Sequence, residues 1–195
     1  MGSTINSTKP ISTFGKFDNF PDQIHGRLKI GHRTSIFKIY QIIVQTLNKL
    51  NNFTTQLKVN DTDHSTRARR LEGLMVFEVG IADGSYFQFL DHETMTKLSR
   101  YHQLIKNQQI SVLLDVLVII SYHYYRQDKR ISLNSDHNIL RFIITPKLLN
   151  IYLFNAKGIR RLPLDQFLQC LFNKLHEELK RQHLKTFTIE AFHAL

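Results

Sequence analysis

The sequence predicts an α+β fold: a largely antiparallel sheet of about four strands with helices packed on one face, preceded by an N-terminal arm and helix. Three observations carry that expectation. Apolar residues recur at helical spacing in three separate stretches, while β-branched and aromatic runs bounded by turn residues follow one another between the second stretch and the third. The chain has 195 residues with 42% hydrophobic content, 14 Phe and 7 Tyr, enough apolar material for the core of one domain. Cys170 is the one cysteine, so no disulfide framework substitutes for that core.

The elements follow in order. Residues 1–33 read as a basic, loosely ordered arm rich in Ser, Thr and Asn, with Phe14, Phe17 and Phe20 three apart as aromatic staples. A single α+β domain is expected over 34–195. Its first helix runs from Thr34 to Leu50: Ile36, Ile39, Tyr40, Ile43, Leu47 and Leu50 share one face, and Thr34 or Ser35 caps the start. Residues 51–70 form a polar, basic connector ending in Arg67, Arg69 and Arg70. Leu74 to Ile81 is a strand, stopped by the Asp83-Gly84 turn signal. Asp91 caps a second helix that reaches about Asn107.

Val112 to Tyr125 carries Val116, Val118, Ile119 and Ile120 and reads as a central strand, although its length also suits a buried helix. Ile139 to Thr145 and Leu149 to Asn155 make a hairpin around Pro146-Lys147. Pro163 fits the first position of a third helix running to about His183, with Leu164, Phe167, Leu168, Leu171, Phe172, Leu175 and Leu179 on its apolar face. A short strand follows at Thr186 to Ile189.

Charge is distributed in blocks. Residues 1–70 hold 11 Lys/Arg against 4 Asp/Glu, residues 71–128 hold 4 against 7, and residues 129–195 hold 11 against 5, within a net charge of +10. Two basic ends around a mildly acidic middle point to a polyanionic partner, nucleic acid first, with an acidic protein as the other candidate. The candidate nucleic-acid-binding residues are Arg27, Lys29, Arg33, Arg67, Arg69 and Arg70 in the N-terminal third, and Lys157, Arg160 and Arg161 beside the start of the third helix. A helix start offers unpaired N–H groups and the positive end of a dipole, and arginine engages phosphate with two parallel bonds. The same arginines would also serve as solvated strand-end charges paired with Asp165, Glu177 or Glu178. Tyr122, Tyr124 and Tyr125 precede Arg126 and offer either stacking platforms or core rings.

Other chemistry is less well supported. Ten histidines are present, but His176 and His183 stand two turns apart, and neither the Asp61, Asp63, His64 group nor Asp91, His92, Glu93 with His102 follows a zinc pattern. Cys170 lies on an amphipathic helix, where a thiol is usually inert. No nucleophile elbow, P-loop or dinucleotide fingerprint is present. Glu72, Glu78, Asp83 and Asp115 are the acid–base candidates; Asp115, which interrupts the apolar run from Val112 to Ile120, either ends a strand or faces a cleft.

The leading expectation is therefore a non-enzymatic basic protein, free of cofactor and metal, that engages nucleic acid or a ribonucleoprotein through phosphates. The alternative is an adaptor or structural subunit docking through its amphipathic helices and aromatic arm, as a homo-oligomer or against another protein. A third reading is a metal-dependent nuclease built on Asp115, Glu78 and a histidine. The N-terminus has no basic stretch followed by an apolar run, and the longest apolar run is short and interrupted by Asp115, so a cytoplasmic location and no membrane partner are expected.

Overall fold

Every third or fourth residue of the first helix is apolar, and these residues bury against a sheet that the rest of the chain builds. The structure is a computed structural model describing residues 19–58, 72–83, 86–105, 111–126, 129–185 and 187–194. Helix α1 spans Ile36–Leu50; the Ser35 hydroxyl accepts the Lys38 N–H and caps it. Helix α2 spans His92–Ile105 and is capped by Asp91, whose carboxylate accepts the Thr94 N–H at 2.8 Å. Helix α3 spans Leu164–Arg181, with Pro163 at the cap position, one residue earlier than expected.

Among the described residues nine strands form one antiparallel sheet: β1 (Gly26–Gly31), β2 (Thr54–Lys58), β3 (Glu72–Asp83), β4 (Tyr86–Phe89), β5 (Val112–Arg126), β6 (Lys129–Ser132), β7 (Asp136–Ile144), β8 (Leu148–Lys157) and β9 (Thr188–Ala194). The main order is β2-β3-β5-β7-β8-β1-β9, with β4 on β3 and β6 on β5. The mixed helix and strand content is as expected; the count of about four strands is not. The long strands β3, β5, β7 and β8 account for those four. The missed ones are short: β2, β4 and β6 have four or five residues each, and β4 and β6 pair only with part of a long strand. β1 lies within residues 26–31 of the expected arm, yet it sits inside the sheet between β8 and β9.

Alternation sorts the sheet residues. Leu28 and Ile30 of β1, Phe77 and Val79 of β3, Val116 and Val118 of β5, Leu140 and Phe142 of β7, and Leu149 and Ile151 of β8 point to the helix layer and form the main core. Phe87, Leu117, Ile119 and Ile139 occupy the outer face, where Phe20 packs with them in a second cluster. β5 is thus apolar on both sides, which is why its sequence looked like a buried helix as much as a strand.

The sheet curls. α3 packs on β1 and β9, while its Phe167 stacks on Phe77 of β3 at 6.5 Å and its Lys174 lies 3.5 Å from the ring centroid of Phe53, just before β2. One helix therefore reaches both margins of the sheet. Among the described residues no helix is long and apolar enough to cross a membrane.

Candidate nucleic-acid interface

β1 alternates small or apolar residues with cations. Burying Leu28 and Ile30 against the helices turns Arg27 and Lys29 to the outer face, opposite Tyr152 and Asn150 of β8. The Arg27 guanidinium lies 5.3 Å from the centre of the Tyr152 ring, and its Nη2 donates to Asn150 Oδ1 at 3.4 Å. Lys29 Nζ is 3.0 Å from Glu190 Oε2 on β9. Further along β8, Phe154 stacks with His25 at 4.8 Å.

At the end of this face, β1, the β7–β8 turn and β9 converge on a concavity of about 910 Å³. Its walls include Arg33, Lys147 and Lys185, three exposed cations from three distant parts of the chain, with Glu190 as the one acidic side chain among the described residues of the lining. Thr145 fixes the turn that presents Lys147: its N–H donates to the Leu148 carbonyl at 2.8 Å, and its hydroxyl accepts the Leu148 N–H at 3.1 Å. His32 is buried in the same wall with Nδ1 2.9 Å from the Thr34 carbonyl, and burial holds it below the ordinary histidine range.

The Lys157–Arg161 loop lies at the far end of β8, and its backbone is already engaged. Asp136, 2% exposed, accepts the N–H of Arg160 at 3.0 Å, the N–H of Arg161 at 2.8 Å and the Tyr122 hydroxyl at 2.6 Å. The Tyr122 oxygen in turn accepts the Leu162 N–H at 3.0 Å. Burial and the Asp136 carboxylate push the Tyr122 hydroxyl far up. The loop thus wraps an anion, but that anion is the protein's own Asp136. Gly158 makes this closure feasible: its φ is +108°, and a Cβ there would sit 2.1 Å from Asp136 Oδ1. Arg160 follows with a φ of 56°. Lys157 and Arg161 remain exposed. Of the expected partners for these arginines, Glu178 is held by Lys49, with Arg181 3.8 Å away.

The nine candidate cations therefore divide. Arg27, Lys29 and Arg33 lie along β1 and at its end; Lys157, Arg160 and Arg161 lie at the opposite end of β8; Arg67, Arg69 and Arg70 fall outside the described residues. Sequence reasoning missed Lys147 and Lys185. A lone lysine in a tight turn and another in a loop carry no local signal, and only the fold brings them to Arg33.

Of the acidic candidates, Asp83 and Asp115 line one cleft, while Glu78 stands apart from them. Asp115 is held by Arg141 through two parallel bonds, 2.7 Å from Nε and 2.8 Å from Nη2, and Nη2 also donates to Asn19 Oδ1 at 3.0 Å. The Arg141 guanidinium lies 5.1 Å from the Phe20 ring centre. That cleft, of about 510 Å³, also carries Thr94, Lys97 and Gln88. Glu78, however, pairs with Ile119, four residues further along β5, about 13 Å away at the strand repeat. Among the described residues no three His, Cys, Asp or Glu are gathered to hold a metal ion. Burial raises the Cys170 thiol, which keeps it protonated. Comparison with protein-family models, with curated proteins and with solved structures finds no match.

Proposed function

We propose that this protein is a non-enzymatic, basic binding protein that engages nucleic acid, free or in a ribonucleoprotein, through phosphate contacts. The observation that supports the reading best is the concavity where Arg33, Lys147 and Lys185 meet. Bringing three exposed like charges together opposes folding, and a bound polyanion relieves that repulsion. Arg27 and Lys29 extend the positive strip along the outer face. Contacts of this kind read the backbone and not the bases, and they weaken steeply with salt.

The test is fluorescence anisotropy with labelled DNA and RNA from 50 to 300 mM salt. Salt-sensitive binding that the Arg33→Ala, Lys147→Ala, Lys185→Ala triple variant loses supports the proposal. Absence of binding to any nucleic acid at 50 mM salt overturns it.

The adaptor reading needs a different surface from the one first expected. The apolar faces of α1 and α3 are buried in the core, and Phe20 packs on the protein's own sheet; Phe14 and Phe17 fall outside the described residues. What favours the reading now is β9, an edge strand that exposes Ile189 and Phe192.

A further inference from the structure

We infer that the nucleic acid taken by the outer face is single-stranded, laid along β8 and long enough to reach from the Lys147 concavity to the Lys157 corner. The inference rests on the function proposed above and adds the class and length of the ligand.

β8 is a ruler between the two stations. Lys147 precedes it and Lys157 ends it, a span of about 30 Å at the strand repeat. Both stations border the outer face. Glu190, in the concavity wall, pairs with Lys29 of that face. Lys157 registers with His137, which follows the outer-face parity of Ile119. Between the stations, cations and rings succeed one another: Lys29 beside Asn150 and paired with Glu190, the exposed Arg27 over Tyr152, then Phe154, covered by the buried His25.

The row occupies two adjacent strands, β1 and β8, about 5 Å apart. A duplex presents two phosphate rows across a groove of about 12 Å and keeps its base faces inside the stack, so ring planes set in a narrow row offer it little. A single strand exposes base faces that stack on rings and on guanidinium planes, with flanking cations tracking its backbone. A strand stacked at about 3.4 Å per nucleotide needs about nine nucleotides to span 30 Å, and a more extended one needs fewer.

The experiment uses the full chain with labelled oligo-dT and oligo-U of 4, 8, 12 and 16 nucleotides, and a 16-base-pair duplex, at a fixed 75 mM salt. Affinity is expected to rise by at least tenfold from 4 to 12 nucleotides and then to level, with the duplex at least tenfold weaker than the 16-nucleotide strand. Lys157→Glu, at an exposed position, is expected to weaken the 12-mer about tenfold and leave the 4-mer unchanged. Equal affinity for duplex and single strand, or a 4-mer as tight as the 12-mer, overturns this inference while leaving the proposed function intact. Failure of every oligomer to bind at 75 mM salt overturns this inference, and failure again when the salt is lowered to 50 mM overturns both. The length series uses the unaltered protein, so the answer does not depend on a variant folding.

Discussion

At the Lys157 end of β8, three cations lie within five residues, on a loop whose N–H groups close over a buried carboxylate. At the Lys147 end, three cations come from positions 33, 147 and 185 and surround an open concavity. The first cluster was visible in the sequence, and its backbone is structural: Asp136 already fills the place a phosphate would take on the N–H groups, which leaves the exposed Lys157 and Arg161 side chains to a ligand. The second was largely invisible and is open to a ligand. Density of charge along the chain is thus a poor guide to a binding site. What matters is whether the fold has already supplied the counter-charge.

The comparison can be broken first at Asp136. Asp136→Ala leaves two part-buried N–H groups and the buried Tyr122 hydroxyl without their acceptor, and is expected to lower stability by about 3 kcal/mol, read as a fall in the urea midpoint. An effect below about 1 kcal/mol would mean that the loop closes without its anion. The opposite end should respond in reverse. Arg33→Ala, Lys147→Ala, Lys185→Ala is expected to lose about 100-fold in affinity and two to three units of salt slope. The same triple variant should change unfolding free energy by less than about 1 kcal/mol, because all three residues are exposed.

Gly158→Ala is expected to cost about 2 kcal/mol through the Asp136 clash and the left-handed backbone, again measured by urea unfolding. Acid should weaken the whole face. Burial lowers His25, His32, His123 and His137 below the ordinary value of 6.5. The unfolded chain then binds more protons than the folded one once the pH drops through 6.5, so stability is full above that value and falls as the pH is lowered toward the folded-state pKa values. Urea midpoints at pH 7.5, 6.5 and 5.5 check this; a midpoint unchanged or rising toward pH 5.5 contradicts it. The smallest effect belongs to Glu190→Gln, which releases Lys29 and removes a carboxylate from the concavity, and should tighten nucleic-acid binding about two- to threefold.

Much of the fold was legible because local pattern and final packing agree. Three helices, the hairpin of β7 and β8, and the long strands β3 and β5 lie where periodicity and turn residues put them. β1 escaped because its alternation is short and its outward residues are Arg27 and Lys29, which read as arm composition rather than as the solvent side of a strand. Tyr122 shows the same limit at the site. Its burial follows from strand parity, but the bond to Asp136 depends on β5 and β7 pairing in one register, which runs from Ile120 opposite Asp136 to Val112 opposite Ile144. Sequence pattern reports on a residue's neighbours along the chain, whereas a site such as Arg33, Lys147 and Lys185 exists only through closure of the sheet.

The interior place of β1 has a consequence for the order in which the protein takes shape at the ribosome. Gly26–Gly31 is made before every other described strand, yet both of its partners, β8 and β9, lie more than a hundred residues later. While β3, β5 and β7 are already zipping together, β1 has no edge to join until residue 157 has emerged, and it remains an edge itself until residue 194 has followed. During that interval Leu28 and Ile30 stay uncovered beside a strongly basic strand, so a nascent chain stalled before β8 is expected to be the form most prone to adhere to its own messenger or to a chaperone.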